Sequence, residues 1–169
     1  MTNADLADRL IDAHARLERL RPAVEARAPW PVSAHFGTEP EASWNPPELL
    51  AHLAEMLPYW LGQVERILAG HPEPTSFGRV QTDHDRIDAI GRDRTLPVGE
   101  LFERVATGKD LAIERLRAMP AADLERRGTH PTLGGMSVQA VGERMLLRHF
   151  DEHVEQLAGI LAQGATTHD

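Results

Sequence analysis

The chain has 169 residues, of which 41% are hydrophobic, carries a formal net charge of −8 and contains no cysteine. Its length is typical of a single domain, so we treat residues 1–169 as one. The absence of cysteine excludes disulfides and thiolate metal sites, the negative charge disfavours DNA or RNA as a partner, and no apolar run reaches the roughly 18–20 residues of a membrane span.

The first 27 residues predict an amphipathic helix rather than a secretory signal. The start lacks a basic segment followed by an apolar stretch, so a cytoplasmic location is the default expectation. The expected helix runs from Ala4 to about Arg27, with Thr2 or Asn3 as its N-cap. His14 borders the apolar stripe and is expected to be a partly exposed packing residue. The stripe has steps of three and four residues: Leu6, Leu10, Ala13, Leu17, Leu20 and Val24.

A second helix is predicted after a loop over residues 28–43. The segment 43–48 has a polar cap residue, prolines for the first turn and an acid near the positive end of the helix. Apolar residues continue at helical spacing to Gly70, and Pro58 is expected to kink this helix or break it in two. His52 lies at the border of the apolar stripe, where it is either a core histidine or a ligand.

A polar crossover is predicted between Gly70 and Leu96, with a short helix capped by Thr82. Residues 83–85 (Asp-His-Asp) resemble a metal site in composition. Because consecutive side chains on a helix point apart, a solvated helix start is the expected structure there. A third long helix follows from Pro97 to Met119.

The last helix carries the strongest functional signal. Ser137 is its expected N-cap, and it runs to about Gln163. Within it, His149 and His153 lie one turn apart and share a face with Leu146 and other apolar residues. Each unpaired polar group in an apolar interior costs about 1–3 kcal/mol. The pair therefore predicts a bound divalent metal, with a hydrogen-bonded cluster of buried histidines as the alternative, and His52 is the best candidate for a third ligand.

Four long amphipathic helices without strand alternation predict an all-α fold, a four-helix bundle. The long connection between the second and third helices allows a crossover. A di-iron carboxylate site is disfavoured because the chain has no Glu-x-x-His pair.

Three motifs resemble the DinB-like or YfiT-like metalloprotein superfamily. They are the sequence WNPPELLAH (residues 44–52), the Ser-Val pair (137–138) that opens the last helix, and His-x3-His-x2-Gln-Leu (149–157). The resemblance spans roughly residues 5 to 163. It implies an up-down-down-up bundle, often a homodimer, in which a divalent metal, usually zinc or nickel, is bound by residues matching His52, His149 and His153.

The resemblance also implies an activity. Relatives in this superfamily include transferases and an isomerase that depend on low-molecular-weight thiols such as bacillithiol or mycothiol. The expected function is therefore metal-dependent thiol S-transfer to a small electrophile. Three neutral imidazoles would leave a coordination position open, which is the layout of a catalytic site. A metal-dependent hydrolase, or a non-catalytic bundle dimer with a structural metal or a buried histidine cluster, remains an alternative.

Several polar residues flank the three histidines. Gln156 lies one turn from His153 and is expected either to contact the ligands or to pack. The acids are mostly off the core face, so each is expected to be solvated: Glu48, Glu55, Asp151, Glu152 and Glu155.

Overall fold

The computed structural model describes residues 1–70 and 74–165. The last three helical elements form one continuous helix over residues 138–165. The described residues therefore contain four long helices, and the predicted all-α bundle is confirmed. None of the helices in the described part is long and apolar enough to cross a bilayer. In chain order the elements are α1 (Asn3–Ala26), α2 (Pro46–Ala69), α3 (His84–Asp93), α4 (Val98–Ala118), α5 (Val138–Val141), a π-helical segment (Gly142–Arg148) and α6 (His149–Ala165).

The helix starts follow local capping rules. Thr2, one of the two N-caps that the sequence predicts, forms a reciprocal capping box with Asp5 at the start of α1. At the start of α2, Asn45 is the N-cap and two prolines occupy the first turn. The short helix α3 is capped by Asp83, whose side chain accepts the Arg86 N–H, so the predicted cap at Thr82 was one residue early.

The core forms where the apolar faces of the long helices meet. Helix α4 packs against α1 and α2, and α6 also contacts both. Pro58 lies inside α2 without ending it. Gly108 of α4 lies against α2, where an added Cβ would be 3.2 Å from the Leu57 Cβ atom. This close approach explains a glycine that costs a helix about 1 kcal/mol relative to alanine.

A small three-stranded sheet lies outside the bundle, and the expectation of no strands was wrong. Strand β1 (Thr75–Ser76) pairs in parallel with β2 (Arg127–His130), which pairs antiparallel with β3 (Gly134–Ser137). Its strands are too short and glycine-rich for a two-residue hydrophobic period to stand out. The sheet joins the crossover after α2 to the hairpin before α5.

The π-helical segment lies directly before the predicted histidine pair. Its wider turn, closed by i to i+5 hydrogen bonds, shifts the angular register of α6 relative to α5. From Leu146 onward the predicted inward face is correct, since Leu146, Phe150 and Leu157 are buried. Segments of this kind are frequent at functional sites.

Candidate metal centre

The structure brings the three predicted histidines together. His52 comes from α2, whereas His149 and His153 lie one turn apart on α6. The Nε2 atom of His149 is 2.8 Å from the Nε2 of His52 and 3.1 Å from the Nε2 of His153. The three rings are nearly perpendicular to one another, with interplanar angles of 86° to 88°. Three ring nitrogens therefore converge on one point.

This convergence fits a cation better than a hydrogen-bonded cluster. A neutral imidazole nitrogen either carries one hydrogen or offers one lone pair, so His149 Nε2 can satisfy only one of its two neighbours. A cation at the centre would accept all three lone pairs. Two nitrogens each ~2.1 Å from an ion and at right angles lie ~3.0 Å apart, close to the separations observed here.

Gln156 sets the tautomer of His153. The Gln156 side-chain N–H donates to the carbonyl oxygen of Glu41 at 2.8 Å, which turns its Oε1 towards His153 Nδ1 at 3.2 Å. An oxygen acceptor at Nδ1 requires the hydrogen on that nitrogen. The Nε2 lone pair then faces the centre, as a metal ligand requires. Of the two roles expected for Gln156, the structure shows contact with a ligand candidate.

Glu41 is a fourth donor that sequence reasoning missed. It lies on a 3₁₀ turn (Glu41–Ser43) in the loop before α2, and its Oε2 is 3.6 Å from His153 Nε2 and 4.0 Å from His149 Nε2. One ligand atom from each of the four residues lies within 4.8 Å of the others. The Arg86 guanidinium also pairs with the Glu41 carboxylate. Only the position of Glu41, just before the segment 44–52, hinted at this role.

Glu55 lies beside the outer nitrogen of His52. His52 Nδ1 is buried and 3.8 Å from Glu55 Oε2, while Arg79 holds the same carboxylate with Nη2 2.6 Å from Oε2. Arg79 stacks over Tyr59, its Cζ atom 3.6 Å from the ring centroid. The expectation of a solvated Glu55 was wrong, because Arg79 of the crossover covers the Glu55 carboxylate. Burial raises the pKa of Glu55, and Arg79 opposes that shift.

The other flanking acids differ in their exposure. Glu48 was expected to be solvated but is fully buried, because the loop before α2 covers it; its Oε1 accepts the Ser33 N–H at 2.8 Å and pairs with Arg94 at 2.9 Å. Glu152 and Glu155 are exposed, as expected. Asp151 is partly exposed and pairs with Arg16.

The remaining titratable residues singled out in the sequence lie outside the cluster. His14 was expected to be partly exposed but is buried, and burial lowers its pKa. Asp83 caps α3 while His84 and Asp85 are exposed, so residues 83–85 are the solvated helix start that was predicted.

Burial keeps the three clustered histidines neutral. It holds the pKa of His52 well below the ordinary 6.5 and lowers that of His149, where the Glu41 carboxylate opposes the shift. Burial, with a smaller contribution from His149, lowers the pKa of His153 to about 4. Near neutral pH the imidazoles are therefore in the form that binds metal ions.

A cleft of about 490 Å³ reaches the cluster. His52, His149 and Glu41 contribute to its lining, and His149 is the most exposed of the three histidines, its side chain 27% accessible. Residues from the crossover, the β2–β3 hairpin and the π-helical segment form most of the remaining lining, together with Trp60 of α2 and Glu152 of α6. A small molecule in this cleft would contact the histidine cluster directly.

The family comparison agrees with this arrangement. The sequence model of the DinB superfamily matches residues 12–157 of the chain, a range that includes all four residues of the cluster. No curated protein and no solved structure matches the chain at a significant level. Because this match covers most of the chain, the protein belongs to the DinB superfamily.

Proposed function

We propose that His52, His149 and His153 bind one divalent metal ion, zinc or nickel. The observation that carries this proposal is the convergence of three neutral imidazoles, of which two are buried and that of His149 is partly exposed at the cleft, with Nε2 atoms 2.8 and 3.1 Å apart. Imidazole suits zinc and nickel among other transition metals. Glu41 is close enough to serve as a fourth donor or to accept a hydrogen bond from a group bound beside the histidines.

The activity we propose is thiol S-transfer to a small electrophile. Family membership and the cleft support it, since a substrate in the cleft would contact His149. A divalent ion held by imidazoles lowers the pKa of a bound thiol or water. The thiol sulfur would form a bond to the electrophilic carbon, the leaving group would depart with its electron pair, and the thiol proton would pass to solvent. Low-molecular-weight thiols of the bacillithiol or mycothiol type are the proposed co-substrates, and a homodimer is the proposed assembly.

Two alternatives share the same site. A metal-dependent hydrolase would use water in place of the thiol. A non-catalytic dimer would use the histidines for a structural metal or a buried cluster. The cleft favours either enzyme over the non-catalytic protein, because a structural site is normally closed by its protein ligands.

One assay separates the three functions. Protein loaded with zinc or nickel is incubated with a chromogenic aryl chloride with and without a low-molecular-weight thiol, and with an activated ester without thiol. The S-transferase predicts thiol-dependent loss of the chloride, abolished by chelation and by His149→Ala. Thiol-independent ester cleavage with the same two dependences would support the hydrolase. No turnover with a panel of thiols and esters would leave the non-catalytic protein.

A further inference from the structure

The wall of the cleft is cationic on a chain that is anionic overall. The chain has a net charge of −8. Four arginines nevertheless line the cleft, whereas its only acidic lining residues in the described part are Glu41 and Glu152. A concentration of one charge sign in a cleft attracts ligands of the opposite sign. The arginines are Arg79, Arg86, Arg144 and Arg148.

Three of these arginines already have carboxylate partners. Arg79 pairs with Glu55 and Arg86 with Glu41, and both arginine side chains are largely buried. Arg148 lies 3.5 Å from Glu152. These pairs fix the walls of the cleft and neutralise much of its charge.

Arg144 differs from the others. Its side chain is exposed, and it has neither an ion pair nor a hydrogen bond within residues 1–70 and 74–165. It lies on the π-helical segment one turn before His149, so both residues belong to the same wall. A free guanidinium beside the histidine cluster is suited to a carboxylate or a phosphate, which it can bind through two parallel hydrogen bonds.

Apolar side chains line part of the same cleft. Trp60 comes from α2, Leu133 from the β2–β3 hairpin and Met145 from the π-helical segment. A ligand that filled the cleft would place a small organic body against these side chains. Pockets for small molecules commonly combine such a wall with a few polar groups that fix orientation.

We propose that the cleft binds a small organic anion whose carboxylate or phosphate group is held by Arg144 while its other end reaches the histidine cluster. The contact with the histidine cluster rests on the proposed metal site, whereas the contact with Arg144 does not. It narrows the substrate class to anionic molecules.

The test is a calorimetric titration of zinc-loaded protein with acetate and with succinate. Acetate can contact either end of the cleft, whereas succinate has a second carboxylate for the other end. We expect succinate to bind wild type about tenfold more tightly than acetate. Arg144→Gln should remove most of this advantage, and Arg144→Lys should retain part of it. Replacing one carboxylate by a phosphonate shows which oxyanion Arg144 prefers.

The matched control is Arg19→Gln, which removes one positive charge from an exposed position on α1. It should leave the succinate advantage intact. An unchanged advantage in Arg144→Gln, or an equal loss in Arg19→Gln, would overturn the proposal. Zinc content is measured in every variant. If wild type binds no zinc, the proposed function fails, but an Arg144-dependent affinity of metal-free protein for succinate would still support the anion site, and its absence would reject it.

Discussion

Gln156 connects two parts of the candidate metal centre. Its amide contacts His153 Nδ1 on one side and the backbone oxygen of Glu41 on the other. Contacts of this kind hold a metal-binding imidazole in one tautomer and one orientation. Gln156 would therefore act on a bound metal through His153, and it also contacts the loop that carries Glu41.

Replacing Gln156 by leucine should weaken metal binding without unfolding the protein. We expect the affinity for zinc to fall about 10- to 100-fold, because His153 loses the acceptor that fixes its tautomer. Competition with a chromogenic chelator measures the affinity. Gln139→Leu on α5 is the control, since Gln139 bonds Glu143 away from the cluster. Equal zinc affinity for Gln156→Leu and wild type would refute this role.

The lowered pKa values of the histidines predict how stability depends on pH. In the metal-free protein, His52, His149 and His153 have pKa values below the 6.5 of an unfolded chain, and that of His153 is about 4. The unfolded state therefore binds more protons in this range, so the free energy of unfolding should decrease as pH falls from about 6.5 towards 4. Urea unfolding of protein freed of metal by a chelator, at pH 7.5, 6 and 5, measures this free energy.

Two further measurements check whether the clustered histidines cause this dependence of stability on pH. His153→Gln should flatten the decrease, because one of the three titrating groups is removed. Saturating zinc should increase stability at pH 7.5 and lose that effect on acidification, since protons compete with the metal for the nitrogens. A pH profile in His153→Gln as steep as that of wild type would contradict the assignment.

Among the elements, the small sheet has the clearest structural role. It joins the crossover to the hairpin, and both contribute to the cleft lining. Gly78 follows β1 with φ of +81°, and an added Cβ would be 2.3 Å from His130 Cδ2. On the other side of the ring, His130 Nδ1 accepts the backbone N–H groups of Thr132 and Leu133. His130 thus packs the crossover against the hairpin turn.

Gly78→Ala should destabilise the protein by about 2–4 kcal/mol, through both the positive φ and the contact with His130. Gly134→Ala separates the two effects, because Gly134 has φ of +72° but nothing within 4 Å of an added Cβ. That variant should lose only about 1 kcal/mol. Chemical unfolding measures both, and equal losses would show that the His130 contact contributes nothing.

The elements also show which features a sequence pattern can predict. The long helices were predictable because their hydrophobic periods and their capping residues are local properties of the chain. The strands have only two to four residues, and β2 and β3 include Gly128, Gly134 and Gly135, so they carry no such period. The π-helical segment keeps a helical sequence and differs only in its hydrogen bonds, which composition does not reveal.

The ligand candidates also divide into those that the sequence could predict and those that it could not. His149 and His153 share one helix turn, so their proximity was predictable from spacing alone. His52 was chosen as the best third ligand from its place in the second helix, and the family resemblance supported that choice. Glu41 was missed because its position depends on how a loop folds over α6. Glu48 was wrongly expected to be solvated, because the same loop buries a surface that the helical wheel leaves exposed.

At the scale of the whole molecule, the bundle brings together donors from three structural elements. Glu41 comes from the loop before α2, His52 from α2 and the histidine pair from α6. The helix packing places three imidazoles at one point and leaves the cleft between the crossover, the hairpin and the π-helical segment. The central claim is that this point binds a metal ion.

The most direct test is elemental analysis of protein purified without an affinity tag or chelator. Wild type should contain about one equivalent of zinc or nickel per chain. The metal should be lost in His52→Ala and in His149→Ala, and retained in His84→Ala, which removes an exposed histidine at the start of α3. A wild type that holds no metal even after incubation with zinc or nickel, or metal retained in both cluster variants, would contradict the claim.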